Sequence, residues 1–203
     1  LGAPGVAAHE VKRRTGFSVV YAAIKAKDLP EFLDNGMVTS PSMREVTFSL
    51  YERFILIPVE LVSSAKHTLV ILTILGIVFG ITGGLSSAGL AIVAYTGAVL
   101  AGLAITPILL PWLPARSFSI KGAIMGMIWS LVFGIGLSKG GLLITLSEFF
   151  CLPAVSAFYA LNFTGSTTFT SRSGVKKEMR VALPIMGVSV IIGILLLALS
   201  RFA

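Results

Sequence analysis

The chain has 203 residues, 55 % of them hydrophobic and only 12 % charged, and its mean hydropathy is +0.93. That balance excludes an ordinary soluble domain. The formal net charge of +7 does not describe a nucleic-acid-binding face, because the surplus sits in short loops between apolar stretches, which is a topology signal.

Residues 1–66 hold eight Lys/Arg and seven Asp/Glu, whereas the remainder holds eight Lys/Arg and only two acids, Glu148 and Glu178. The break near Lys66 divides a water-facing segment, 1–66, from a membrane domain, 67–203. The run Leu1-Gly-Ala-Pro-Gly-Val6 reads as a strand-to-helix loop, and residues 6–14 as the helix after it. Residues 17–24 are rich in β-branched and aromatic side chains and read as a buried strand. Asp28 is an N-cap candidate with Pro30 in the first turn, and the helix through Phe32 and Leu33 stops near Asn35-Gly36. Residues 41–50 fit either a strand or a short amphipathic turn. Residues 54–61 read as a last strand, which Pro58 places at an edge or bend.

The expected fold class is therefore α/β, the C-terminal part of a Rossmann-like domain, followed by an all-α membrane domain of about five transmembrane helices. Ligands of open parallel sheets sit beyond the carboxyl ends of the strands. That rule singles out the Gly2–Gly5 loop and the 22–27 loop, although Gly and Pro in such places also simply shape turns. His9, alone on the first helix, reads as a surface or capping residue.

About 20 apolar residues cross a hydrocarbon core of about 30 Å, and the candidate spans are 67–85, 88–110, 120–137, 142–162 and 181–200. Loops on one side carry Arg116 and Lys121, then Arg172, Lys176, Lys177 and Arg180. The opposite loops carry Lys139 and Arg201. Positive residues favour the cytoplasmic side, which puts the front segment in the cytoplasm and the C-terminus outside. Small residues recur four apart, as at Gly76 and Gly80, Gly97 and Ala101, and Gly122 and Gly126, a spacing that suits close helix packing.

Glu148 is the only acid inside an expected span, so it reads as an ion or proton site or as a paired group within the bundle. Cys151, a turn away, is the sole cysteine. It excludes a disulfide within the chain and a metal or iron–sulfur site built from this chain's cysteines alone; by default it is a small buried thiol, with a soft hold on Hg(II) as the functional alternative. Residues 162–180 carry a hydroxyl-rich stretch followed by a basic cluster. It reads as a solvated loop, an anionic-lipid anchor or a docking surface for the front segment. Leu1 in place of Met, with no signal-peptide pattern before it, leads us to expect that the complete protein begins upstream.

Four stretches together carry a resemblance: Leu1-Gly-Ala-Pro-Gly-Val-Ala-Ala-His9, Lys27-Asp-Leu-Pro-Glu-Phe-Leu33, Arg53-Phe-Ile-Leu-Ile-Pro-Val-Glu-Leu61 and the block from Asn162 to Arg180. They resemble the mercury-methylation corrinoid proteins, whose front half is related to the corrinoid iron–sulfur protein of the acetyl-CoA pathway. The resemblance covers essentially the whole chain, and the block from Asn162 to Arg180 is its most specific part. It implies a cytoplasmic Rossmann-like domain holding a cobalt corrinoid, then a membrane anchor of about five helices in the cytoplasmic (inner) membrane of an anaerobic bacterium or archaeon. The corrinoid would accept a methyl group from a folate-type donor and pass it to Hg(II), and a ferredoxin-like partner with two iron–sulfur clusters would reduce the cobalt.

By position, Gly2, Ala3, Pro4, Gly5, Ala22, Ala23 and Lys25 would flank the corrinoid. The family's cap-helix motif Asn-Val-Trp-Cys-Ala does not occur here, and the resemblance places the cobalt-facing cysteine upstream of Leu1. Cys151 does not inherit that role, and no metal-ligating residue is assigned in this chain. The resemblance thus implies a methyltransferase as the complete protein. The alternatives are a corrinoid methyl carrier of one-carbon metabolism, or a small transporter or scaffold whose flux depends on Glu148.

Overall fold

The computed structural model describes residues 7–44, 49–138, 140–163 and 172–202. These form two compact units that meet in sequence at Ser49. The front unit contains α1 (Ala8–Thr15) and α2 (Leu29–Asp34), the latter entered through a 3₁₀ turn, Ala26–Asp28. Helix α1 stops at Gly16, whose φ of 77° is left-handed, a conformation that glycine adopts without a steric penalty. Among the described residues of this unit, only Phe32 and Met43 are buried.

The α/β expectation is overturned, because no strand occurs among the described residues. Among the described residues, 17–24 run without a β partner, and the Ile24 N–H donates to the Met43 carbonyl (3.2 Å). A ladder needs a second edge, and the described front residues provide none. Residues 54–61 are helical instead of forming a closing strand. Their helix begins at a capping box: Ser49 Oγ accepts from the Glu52 N–H (3.3 Å) and Glu52 Oε2 accepts from the Ser49 N–H (2.8 Å). Two of the orphan donors at a helix start are thereby satisfied. Pro58 stays inside this helix; lacking an N–H, it leaves the Phe54 carbonyl without its intrahelical partner.

The second unit is a helical bundle. Four helices among the described residues are long and apolar enough to cross a membrane: Leu50–Ile108, Phe118–Gly136, Leu142–Asn162 and Gly174–Leu199. The first is not one rod. Within α3 (Leu50–Leu100), Gly84 has φ 76° and ψ −178°, and the chain reverses there. A Cβ on Gly80 would lie 3.9 Å from Ala88 Cβ, and one on Gly76 would lie 3.7 Å from Ile92 Cδ1. Residues eight and sixteen positions apart on a continuous helix would be separated by about 12 and 24 Å. Helix α3 is therefore an antiparallel hairpin with a first arm, 50–83, and a second arm, 85–100, so five long stretches run through the bundle among the described residues.

The second arm continues through a π-turn (Ala101–Ile105) into α4 (Thr106–Ile108). Thr106 Oγ1 donates to the Ala101 carbonyl at 2.7 Å, and Pro107 supplies no N–H for the preceding turn, a local cause for the widened helix. Helix α6 (Leu142–Asn162) packs along α5 (Phe118–Gly136) and also along α7 (Arg172–Leu199). A Cβ on Gly126 would fall 2.6 Å from Pro153 Cα, and one on Gly122 2.8 Å from Ala157 Cα. These glycines let α5 and α6 approach to backbone contact. Hydroxyls then bridge the helices: Ser156 Oγ donates to the Gly122 carbonyl (2.7 Å) and Ser189 Oγ to the Phe150 carbonyl (2.7 Å).

The bundle keeps Thr106, Ser130 and Ser156 fully buried while Ile81 and Leu85 are 81 % and 89 % exposed. Polar groups inside and large apolar side chains outside suit a hydrocarbon surrounding, where each polar group must find a protein partner.

Candidate functional site

The chemistry available to the bundle collects along α6. Glu148 Oε1 accepts from Ser138 Oγ at 2.6 Å. Its other oxygen, Oε2, is buried and has no hydrogen-bond partner among the described residues. One turn further, Cys151 faces α7 at Gly193, and its thiol lies 3.9 Å from the Val190 carbonyl. Both residues line a cavity of about 660 Å³ bounded by the two arms of α3, by α6 and by α7. Most of its wall is aliphatic or aromatic, with Leu75, Phe79, Leu90 and Phe133 among the contributors. Arg201 also lines it, its guanidinium held by the Thr82 carbonyl (3.2 Å) and Thr82 Oγ1 (3.3 Å).

A second cavity, of about 900 Å³, shares Ile71, Tyr95, Val155 and Val190 with the first, and carries Glu60, His67 and Asn162. Where the two abut, three hydroxyls form a chain: Thr68 Oγ1 and the Tyr159 hydroxyl are 2.9 Å apart, as are the Tyr159 and Tyr95 hydroxyls. Tyr95 and Tyr159 are buried, so the chain satisfies polar groups in an apolar interior. It ties the first arm of α3 to α6 and to the second arm.

Other polar groups finish helix ends. Glu178 Oε1 accepts from Ser117 Oγ (2.6 Å), the Ser119 N–H (2.7 Å) and Ser119 Oγ (2.8 Å), which places a carboxylate at the N-terminus of α5. That is the end where the helix dipole favours negative charge. Two buried cations take carbonyls at the end of α4 and in the Pro-rich turn after it. Arg53 Nη1 donates to the Ile108 carbonyl (2.9 Å) and Lys121 Nζ to the Leu110 carbonyl (2.6 Å).

Of the residues singled out in the front segment, Gly2, Ala3, Pro4 and Gly5 lie outside the described residues. Ala22, Ala23 and Lys25 are half-buried in the extended stretch that leads into the 3₁₀ turn. They adjoin only because they are consecutive or nearly so, and among the described residues there is no sheet whose carboxyl ends they could border. His9 is exposed on α1. Glu148 and Cys151, picked out as polar residues in a span, do share one cavity. The Thr68–Tyr159–Tyr95 chain and Ser138 were not singled out, although hydroxyls inside apolar runs are the available signal for them.

The described residues do not fit a cobalt corrinoid. Among those residues the front unit has no sheet crevice, and no group of three or more His, Cys, Asp or Glu gathers. Among the described residues, fold and site define a helical bundle whose long apolar helices could span a membrane, preceded in sequence by a charged segment. No family model matches the chain, and no curated protein or solved structure matches it.

Proposed function

We propose that this chain is the membrane-embedded portion of a corrinoid-dependent methyltransferase that converts Hg(II) to methylmercury. The reading rests on one observation above others, the block from Asn162 to Arg180 set within a chain that passes from a charged segment straight into apolar helices. In this reading the corrinoid is held outside the described residues. The bundle's task is to fix methyl transfer at the bilayer, where it does not diffuse away. The methyl donor is of folate type, Hg(II) is the substrate, and a ferredoxin-like protein with two iron–sulfur clusters is the reducing partner. The membrane is the cytoplasmic one of a bacterium or archaeon, with the front segment in the cytoplasm and the C-terminus outside. The clustering of Arg172, Lys176, Lys177 and Arg180 at the N-terminal end of α7 supports that orientation.

Metal analysis of the complete gene product, purified without oxygen, tests the reading. We expect cobalt in near-stoichiometric amount together with a corrinoid absorption spectrum. A cobalt-free protein lacking that spectrum contradicts it.

A further inference from the structure

We infer that the cavity around Glu148 is a binding site for a lipophilic organic cation, a ligand with broad apolar flanks and a single positive charge. The inference is independent of methyl transfer. At about 660 Å³ the space falls within the range of small-molecule sites. Its wall is largely apolar, and Phe79, Tyr95 and Phe133 line it. Aromatic faces attract cations, most of all those that part readily with water.

The polar part of the site is one carboxylate, half of which is already engaged. Ser138 satisfies Oε1 at 2.6 Å, whereas Oε2 is buried with no partner among the described residues. A buried acceptor left alone is unfavourable, and a carboxylate more so than a neutral group. Glu10 pairs with Arg13 and Arg14, whereas no described cation stands within 4.0 Å of the Glu148 carboxylate. Arg201 on the same cavity is engaged by Thr82.

A hard divalent ion would need six or more oxygen ligands, and no three acidic, His or Cys residues cluster among the described residues. One negative charge in an apolar, partly aromatic wall suits instead a cation that brings its own apolar surface. Arg201 raises the opposite possibility, a lipophilic anion, which the test separates.

The test uses the full chain in nanodiscs of zwitterionic lipid, with empty nanodiscs subtracted. Equilibrium binding of radiolabelled tetraphenylphosphonium is compared with that of tetraphenylborate, which has the same shape and opposite charge. We expect saturable binding of the cation, roughly tenfold or more tighter than the anion, and a comparable weakening of cation binding in Glu148→Gln. Glu148→Asp should keep most of the cation preference. Equal affinity for the two ions, preference for the borate, or unchanged cation binding in a folded Glu148→Gln protein would overturn the proposal. If Glu148→Gln does not fold, the comparison of the two ions on the native chain decides.

Discussion

Glu178 shows how much a single side chain does at this bundle's edge. Its Oε1 gathers three donors at the start of α5, so Glu178→Ala should lower stability by about 1–3 kcal/mol through unpaired donors and a lost dipole contact. Thermal unfolding in detergent measures this, and Glu178→Gln should recover part of the loss because its amide oxygen still accepts. The carboxylate's role was not legible in the sequence: Glu178 lies among Lys176, Lys177 and Arg180, and its partner Ser119 is 59 residues away. Ser49 is the contrasting case. Ser-Leu-Tyr-Glu before an apolar run is a local capping signal, and Ser49→Ala should cost about 1 kcal/mol in the same assay.

At the scale of elements, the hairpin at Gly84 makes the sharpest prediction. With Gly80 and Ala88 placed so that their Cβ atoms would be 3.9 Å apart, cysteines at both positions are within disulfide geometry. In a Cys151→Ser background, Gly80→Cys with Ala88→Cys should lose both free thiols to alkylation on mild oxidation. A continuous helix would keep them about 12 Å apart and reactive. Helix packing gives a second test. Gly126→Leu should drive α5 away from Pro153 and reduce the yield of folded protein, whereas Gly89→Leu, with nothing within 4 Å of its Cβ, should be tolerated.

The misreading of residues 54–61 has its cause at this same scale. A short apolar run does not distinguish a buried strand from a helix by periodicity, and Pro58 suggested an edge strand. The capping box at Ser49 and the absence of any Gly, Pro, Asn or Asp between Pro58 and Gly76 were the opposing signals. Residues 17–24 have strand-like side chains, but strand formation depends on a partner that local sequence does not reveal.

Across the whole molecule, hydropathy and charge show where the chain enters an apolar surrounding, because those are sums over many residues. They do not show that α6 forms the wall shared by both cavities, or that Glu148 meets Ser138 inside one of them, because those depend on packing. The exposed apolar exterior predicts that the chain partitions with membranes and needs detergent for extraction; recovery in a high-salt or carbonate wash would contradict this.

The central claim, that the complete protein serves methyl transfer to Hg(II), is tested most directly by methylmercury formation from isotopically enriched Hg(II) under anaerobic conditions. The host, a strain deleted for the complete gene and the complemented strain are compared. We predict loss of labelled methylmercury on deletion and its return on complementation. Equal methylmercury in the host and the deleted strain would contradict the account.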